Sequence, residues 1–122
     1  MILVDTSVWI DHFNRDSKEL GSLLHQVVVI SHPFVIGEIA CGNLKNRKGI
    51  LELFTELPGA IQAEHHEVLR LIESNGLQGR GIGWINAHLL ASALLSKALL
   101  WTNDRKLAAL ADGLGIVFRS RL

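Results

Sequence analysis

The 122 residues suffice for one compact domain, and a hydrophobic content of 48% supplies a core, which excludes a disordered chain. Twelve Lys and Arg balance twelve Asp and Glu, which excludes bulk charge attraction as the main route to nucleic acid but leaves room for a local basic rim. The single cysteine, Cys41, excludes an intramolecular disulfide and reads as a buried structural thiol in a reducing, cytoplasmic setting.

The chain opens on "MILV", a strand candidate, and Asp5 breaks the apolar run too early for a signal peptide. Thr6 or Ser7 can cap a short helix through Phe13. "DSKE" at 16–19 reads as a capping box with Asp16 as cap and Glu19 as its partner. "VVVI" at 27–30 is a β-branched second strand. Pro33 starts a helix that carries Phe34, Val35, Glu38 and Ile39 and ends near Gly42. A further helix fits 47–57, "AIQA" at 60–63 reads as a short strand, and 64–74 is helical up to Asn75-Gly76. Gly76, Gly79, Gly81 and Gly83 form a permissive loop before a nearly all-apolar helix over 85–96. "ALLW" at 98–101 is a strand, 104–111 a helix with Gly113 as its cap, and "IVF" at 116–118 the last strand. The stretch from Ala87 to Trp101 contains His88, Ser92, Ser96 and Lys97, so it is a buried helix and strand and not a membrane span. Strands alternating with helices predict an α/β fold: one domain over 1–122 with a mostly parallel sheet of about four or five strands, flanked by helices.

Three isolated acids stand in apolar settings. Asp5 and Asp104 follow strands, where ligands bind in such sheets, and Glu38 lies in a largely apolar helix. Asp5 and Asp104 could each simply cap the helix that follows. Brought together, the three would repel, at about 4 kcal/mol per pair for roughly 4 Å and an effective dielectric near 20. A hard cation such as Mg²⁺ or Mn²⁺ relieves that repulsion and can activate water against a phosphodiester.

"LVDTSVWIDHF", "PFVIGEIACG", "GIGWINAHLLASAL" and "LLWTNDRKL" resemble, in order and over essentially the whole chain, the four motif regions of the PIN-domain family. More narrowly they resemble VapC-type toxins of bacterial toxin–antitoxin pairs. The resemblance implies a three-layer PIN-like domain and a cytoplasmic, Mg²⁺-dependent endoribonuclease, with Mn²⁺ as a plausible substitute. It also implies a cognate VapB-type antitoxin that masks the site, and a homodimer. By motif position, Asp5, Glu38 and Asp104 are family acids, and Thr6 and Thr102 are supporting residues. Asn86 stands where the third motif carries an aspartate. Asparagine offers a neutral oxygen and a competing NH₂ donor, so metal binding and cleavage are expected to be weakened. Asn86 is also a good helix cap, so the fold need not suffer. Both a deliberate change from aspartate and a naturally weakened homologue remain open.

Lys45, Arg47 and Lys48, Arg80 in the glycine loop, and Arg105-Lys106 after Asp104 read as a solvated surface or a basic rim, with Arg80 and Arg105 as the candidate RNA contacts. "GRGIG" at 79–83 lacks the Gly-Lys-Ser/Thr ending of a phosphate loop. Trp84 packs in the core or stacks on a base. Trp9 and Phe13 share a helix face that in the family often meets the antitoxin or a second subunit. The six histidines show no zinc spacing. Two other functions compete. One is a non-catalytic PIN module that binds antitoxin or RNA. The other is a phosphotransferase with Asp5 as nucleophile, which would want a second aspartate where Ser7 stands.

Overall fold

Three short parallel strands hold the centre of the molecule. In the computed structural model, which describes residues 1–121, β1 (Ile2–Val4) lies between β2 (Val29–Ile30) and β3 (Leu99–Trp101), in the order β2-β1-β3. Ile2 pairs with Val29 and Leu99, and Leu3 with Ile30 and Leu100. The middle strand is wholly apolar because helices cover it on both faces, and Leu3 and Val4 have no exposed surface.

The sheet is narrower than the expected four or five strands. "AIQA" forms no strand: the pairing there is a single bridge between Ser31 and Gly59, after which the chain turns toward the next helix. "IVF" runs beside β3, but only Leu100 pairs with it, receiving one bond from Phe118 N–H and giving one to Ile116 C=O.

Seven helices among the described residues surround the sheet: α1 (Thr6–Arg15), α2 (Lys18–His25), α3 (Pro33–Cys41), α4 (Arg47–Glu56), α5 (His65–Ser74), α6 (Trp84–Leu95) and α7 (Arg105–Gly113). None of the described helices is long and apolar enough to cross a membrane. Helix α6 packs on β1 and β3, with α5 outside it, while α1 and α4 both meet α3. Every α6 residue from Ala87 to Ala93 is buried, which is why this helix reads as apolar all round. Trp9 is fully buried and stands edge-on to Phe54 at 4.8 Å. It therefore belongs to the core and is not available to a partner, contrary to the expectation for the Trp9–Phe13 face.

Several helix ends differ from their sequence reading. Asp5, not Thr6 or Ser7, caps α1. Ser17, not Asp16, caps α2, because Asp16 adopts a left-handed conformation that closes α1. Glu19 is drawn instead to the C-terminal segment, where it accepts bonds from Ser120 and the Arg121 N–H. Gly113 is the last residue of α7, and Leu114 is its cap. Asn86 does not cap α6; Gly83 holds that position and Asn86 is the third helical residue.

Candidate active site

Asp5, Thr6, Thr102 and Asp104 lie where the chain leaves the carboxyl ends of β1 and β3. Asp5 follows β1 directly, and its N–H still pairs with Trp101 C=O at 2.8 Å. The backbone then turns into α1, so the Asp5 side chain meets the first helical amides. Oδ1 accepts Thr6 N–H at 2.7 Å, while Oδ2 accepts the hydroxyls of Ser7 at 2.9 Å and Thr102 at 2.6 Å. A carboxylate only 6% exposed is stable in this place because three donors face it.

Thr102 and Ser7 extend the network to the second acid. The Thr102 hydroxyl accepts Asp104 N–H at 3.0 Å, and the Ser7 hydroxyl accepts Asn103 N–H at 3.0 Å. Two hydroxyls thus fasten the β3–α7 loop to the β1–α1 turn. Asp104 is exposed and caps α7, its Oδ1 accepting the N–H groups of Lys106 and Leu107 at 2.9 and 3.1 Å. Its Oδ2 is left without a hydrogen bond among the described residues. Asp104 thus has the capping role considered from sequence, and Thr102 links its backbone to the Asp5 carboxylate.

Glu38 joins from α3. Its Oε1 accepts the Thr6 hydroxyl at 2.7 Å, which fixes α3 to the first turn of α1. Glu38 is exposed, while Val35 and Ile39 of the same helix face inward. Asn86 is half-buried, and its amide makes no hydrogen bond among the described residues. Arg80 and Arg105 are exposed and have no ion pair among the described residues. Arg47 caps α3 instead, its Nε donating to Ala40 C=O at 3.1 Å.

Beside Glu38, an open groove of about 580 Å³ runs between Phe34, Gly37 and Cys41 of α3 and Trp84 and Ile85 of α6. Cys41 is exposed here and not buried as expected, because α3 ends at this residue. Trp84 is 37% exposed and leans on His65 at 4.9 Å and His88 at 4.8 Å, neither a core aromatic nor a free one. His88 lies beneath it against Phe34, and Phe34 against His32. Burial lowers the pKa of His88, helped by the charge of His65, and pushes that of His32 down to about 4, helped by His88.

The donor set fits a hard divalent cation in kind, since every candidate contributes oxygen. Among the described residues no three acids, histidines or cysteines converge as a ready-made metal cage. Mg²⁺ does not require one, because it keeps several waters and is held by one or two carboxylates plus substrate phosphate. Ser7 was legible in sequence only as a cap; its hydroxyl two residues after the strand-end acid was the signal for its role.

Residues 2–113 match the PIN domain family. Ribonuclease VapC32 of Mycobacterium tuberculosis, from strains CDC 1551 / Oshkosh and ATCC 25618 / H37Rv, is 44% identical over 117 residues, covering 95% of this chain and 94% of that protein. The structure of VapBC-1 from nontypeable Haemophilus influenzae superposes with a TM-score of 0.71 over 98% of each chain, at 18% identity. That last likeness is one of fold.

Proposed function

The chain belongs to the PIN-domain family, and on that footing we propose that it is a divalent-cation-dependent endoribonuclease, the toxin of a toxin–antitoxin pair. The observation that carries the reading is the hydroxyl-mediated link of Asp5 to Asp104 through Thr102. Glu38 is tied to the same turn through Thr6. A phosphodiester-cleaving site needs carboxylates fixed in place yet not neutralised by lysine or arginine, and these hydrogen bonds supply that.

Asp104 Oδ2 and Glu38 Oε2 are open to a cation, Asp5 retains lone pairs, and Asn86 offers its amide oxygen. Mg²⁺ bound there, or Mn²⁺ in its place, would supply charge neutralisation at the phosphate and activation of the attacking water. The chain's own part is orientation: Thr6, Ser7 and Thr102 lock the acids. Arg80 and Arg105 draw the RNA backbone toward an otherwise acidic edge. At position 86 a neutral amide replaces a family aspartate, so this chain cuts slowly. We read residues 1–122 as one domain of a cytoplasmic protein that forms a homodimer and is masked by a VapB-type antitoxin; the likeness to a VapBC fold supports the antitoxin.

A second reading, a PIN module that binds antitoxin or RNA without cutting, is favoured by Asn86 and by the lack of a converged acid trio among the described residues. Cleavage of end-labelled RNA in Mg²⁺ by this chain and by Asn86→Asp separates the two. The variant should cut roughly 10²-fold faster, as expected for restoring one charge-stabilising group, and EDTA should stop it. No cutting by either protein supports the binding module. Equal rates in Mg²⁺ refute impairment by Asn86.

A further inference from the structure

Lys106 gives its backbone N–H to Asp104, but its side chain goes elsewhere. It folds over the glycine loop that leads into α6. A Cβ placed on Gly81 would lie 2.7 Å from Lys106 Cδ and 2.9 Å from Nζ, so the exposed lysine stem lies over the open face of the glycine. Gly81 also has φ +78°, which other residues adopt reluctantly. Among the described residues the Lys106 ammonium makes no ion pair.

The contact also brings two arginine-bearing segments together. Arg80 precedes Gly81 and Arg105 precedes Lys106, and neither is ion-paired among the described residues. Most lysines and arginines here are unpaired among the described residues, so it is the gathering of Arg80, Arg105 and Lys106 on two touching segments that suits an anion arriving from outside. Lys106 lies between the α7 turn that carries Asp104 and the loop that opens the helix of Asn86. An anion held there is next to the acids without being among them.

We propose that Lys106, whose stem lies over Gly81, is a positioning residue that holds a backbone phosphate of RNA at the Asp104–Asn86 edge of the site. The inference rests on the ribonuclease reading and names a substrate contact within it. The phosphate in question neighbours the one being cut, so Lys106 contributes to binding in ground and transition states alike.

The test is binding of a fluorescein-labelled single-stranded RNA oligonucleotide of mixed sequence, followed by anisotropy in EDTA between about 50 and 200 mM salt. Lys106→Met keeps the stem over Gly81 and removes the charge. It should weaken binding about tenfold and lower the slope of log Kd against log salt by about 0.7. A purely structural lysine would leave the slope untouched. Lys106→Arg should bind nearly as the parent does. Unchanged affinity and slope in Lys106→Met overturn the inference while leaving the ribonuclease reading intact if Asn86→Asp still cuts RNA. Failure of the parent chain to bind RNA also overturns it. Joined to failure of Asn86→Asp to cut, that result removes the ribonuclease reading as well.

Discussion

Acidification should destabilise this protein through His32. The ring is 2% exposed and bonded on both sides. Nδ1 accepts Phe34 N–H at 3.0 Å, capping α3, so it must be unprotonated. Nε2 therefore carries the proton and donates to Ser92 Oγ at 3.1 Å, an oxygen that also accepts Ala63 N–H at 3.3 Å. A second proton would also break the cap. Burial of the ring, helped by His88, lowers the pKa from 6.5 to about 4, which corresponds to a preference for the neutral ring of roughly 3 kcal/mol. Between these two values the unfolded chain binds the proton and the folded one does not, so stability is full above pH 6.5 and falls as pH drops toward 4. Integrated from pH 7 to pH 5, the loss is about 2 kcal/mol, a sizeable part of the 5–15 kcal/mol typical of a domain. Urea unfolding across this range, on the parent chain and on His32→Asn, isolates the effect. Asparagine keeps an N-cap acceptor but cannot titrate. The parent should lose about 2 kcal/mol more than the variant; parallel pH profiles would refute the assignment.

Two more substitutions probe the architecture. Thr102→Val removes the hydroxyl shared by Asp5 and Asp104. It should cost about 1–2 kcal/mol in urea unfolding and, placed in the Asn86→Asp background, should slow RNA cleavage while leaving the fold intact by circular dichroism. Trp9→Ala empties a fully buried site against Phe54 and should cost about 3–5 kcal/mol in the same unfolding assay, with no selective effect on the acids.

The apolar runs placed β1, β3 and most helices in the sequence, because burial on both faces leaves little choice of residue. What sequence missed depended on distant partners. "IVF" has the composition of a strand, yet only Leu100 pairs with it. Asp16 looks like a cap, but its left-handed backbone ends one helix and leaves Ser17 to begin the next. Asp5, Glu38 and Asp104 were legible as isolated acids, and the structure links them through hydroxyls to one region. The linking bonds were not legible: Thr102 is 97 residues from Asp5, and Ser7 meets Asn103 across 96. Lys106 was legible only as a member of the basic pair that follows Asp104; its approach to Gly81, 25 residues earlier, was not.

The central claim is that Asp5, Glu38, Asp104 and position 86 serve one cation. Mn²⁺ binding, measured by titration calorimetry on this chain, on Asn86→Asp, and on Asn86→Asp carrying Asp104→Asn, tests it without reference to activity. Restoring the carboxylate should tighten Mn²⁺ at least about tenfold, and removing Asp104 should abolish most of that gain. Equal affinities in all three proteins would contradict a shared site.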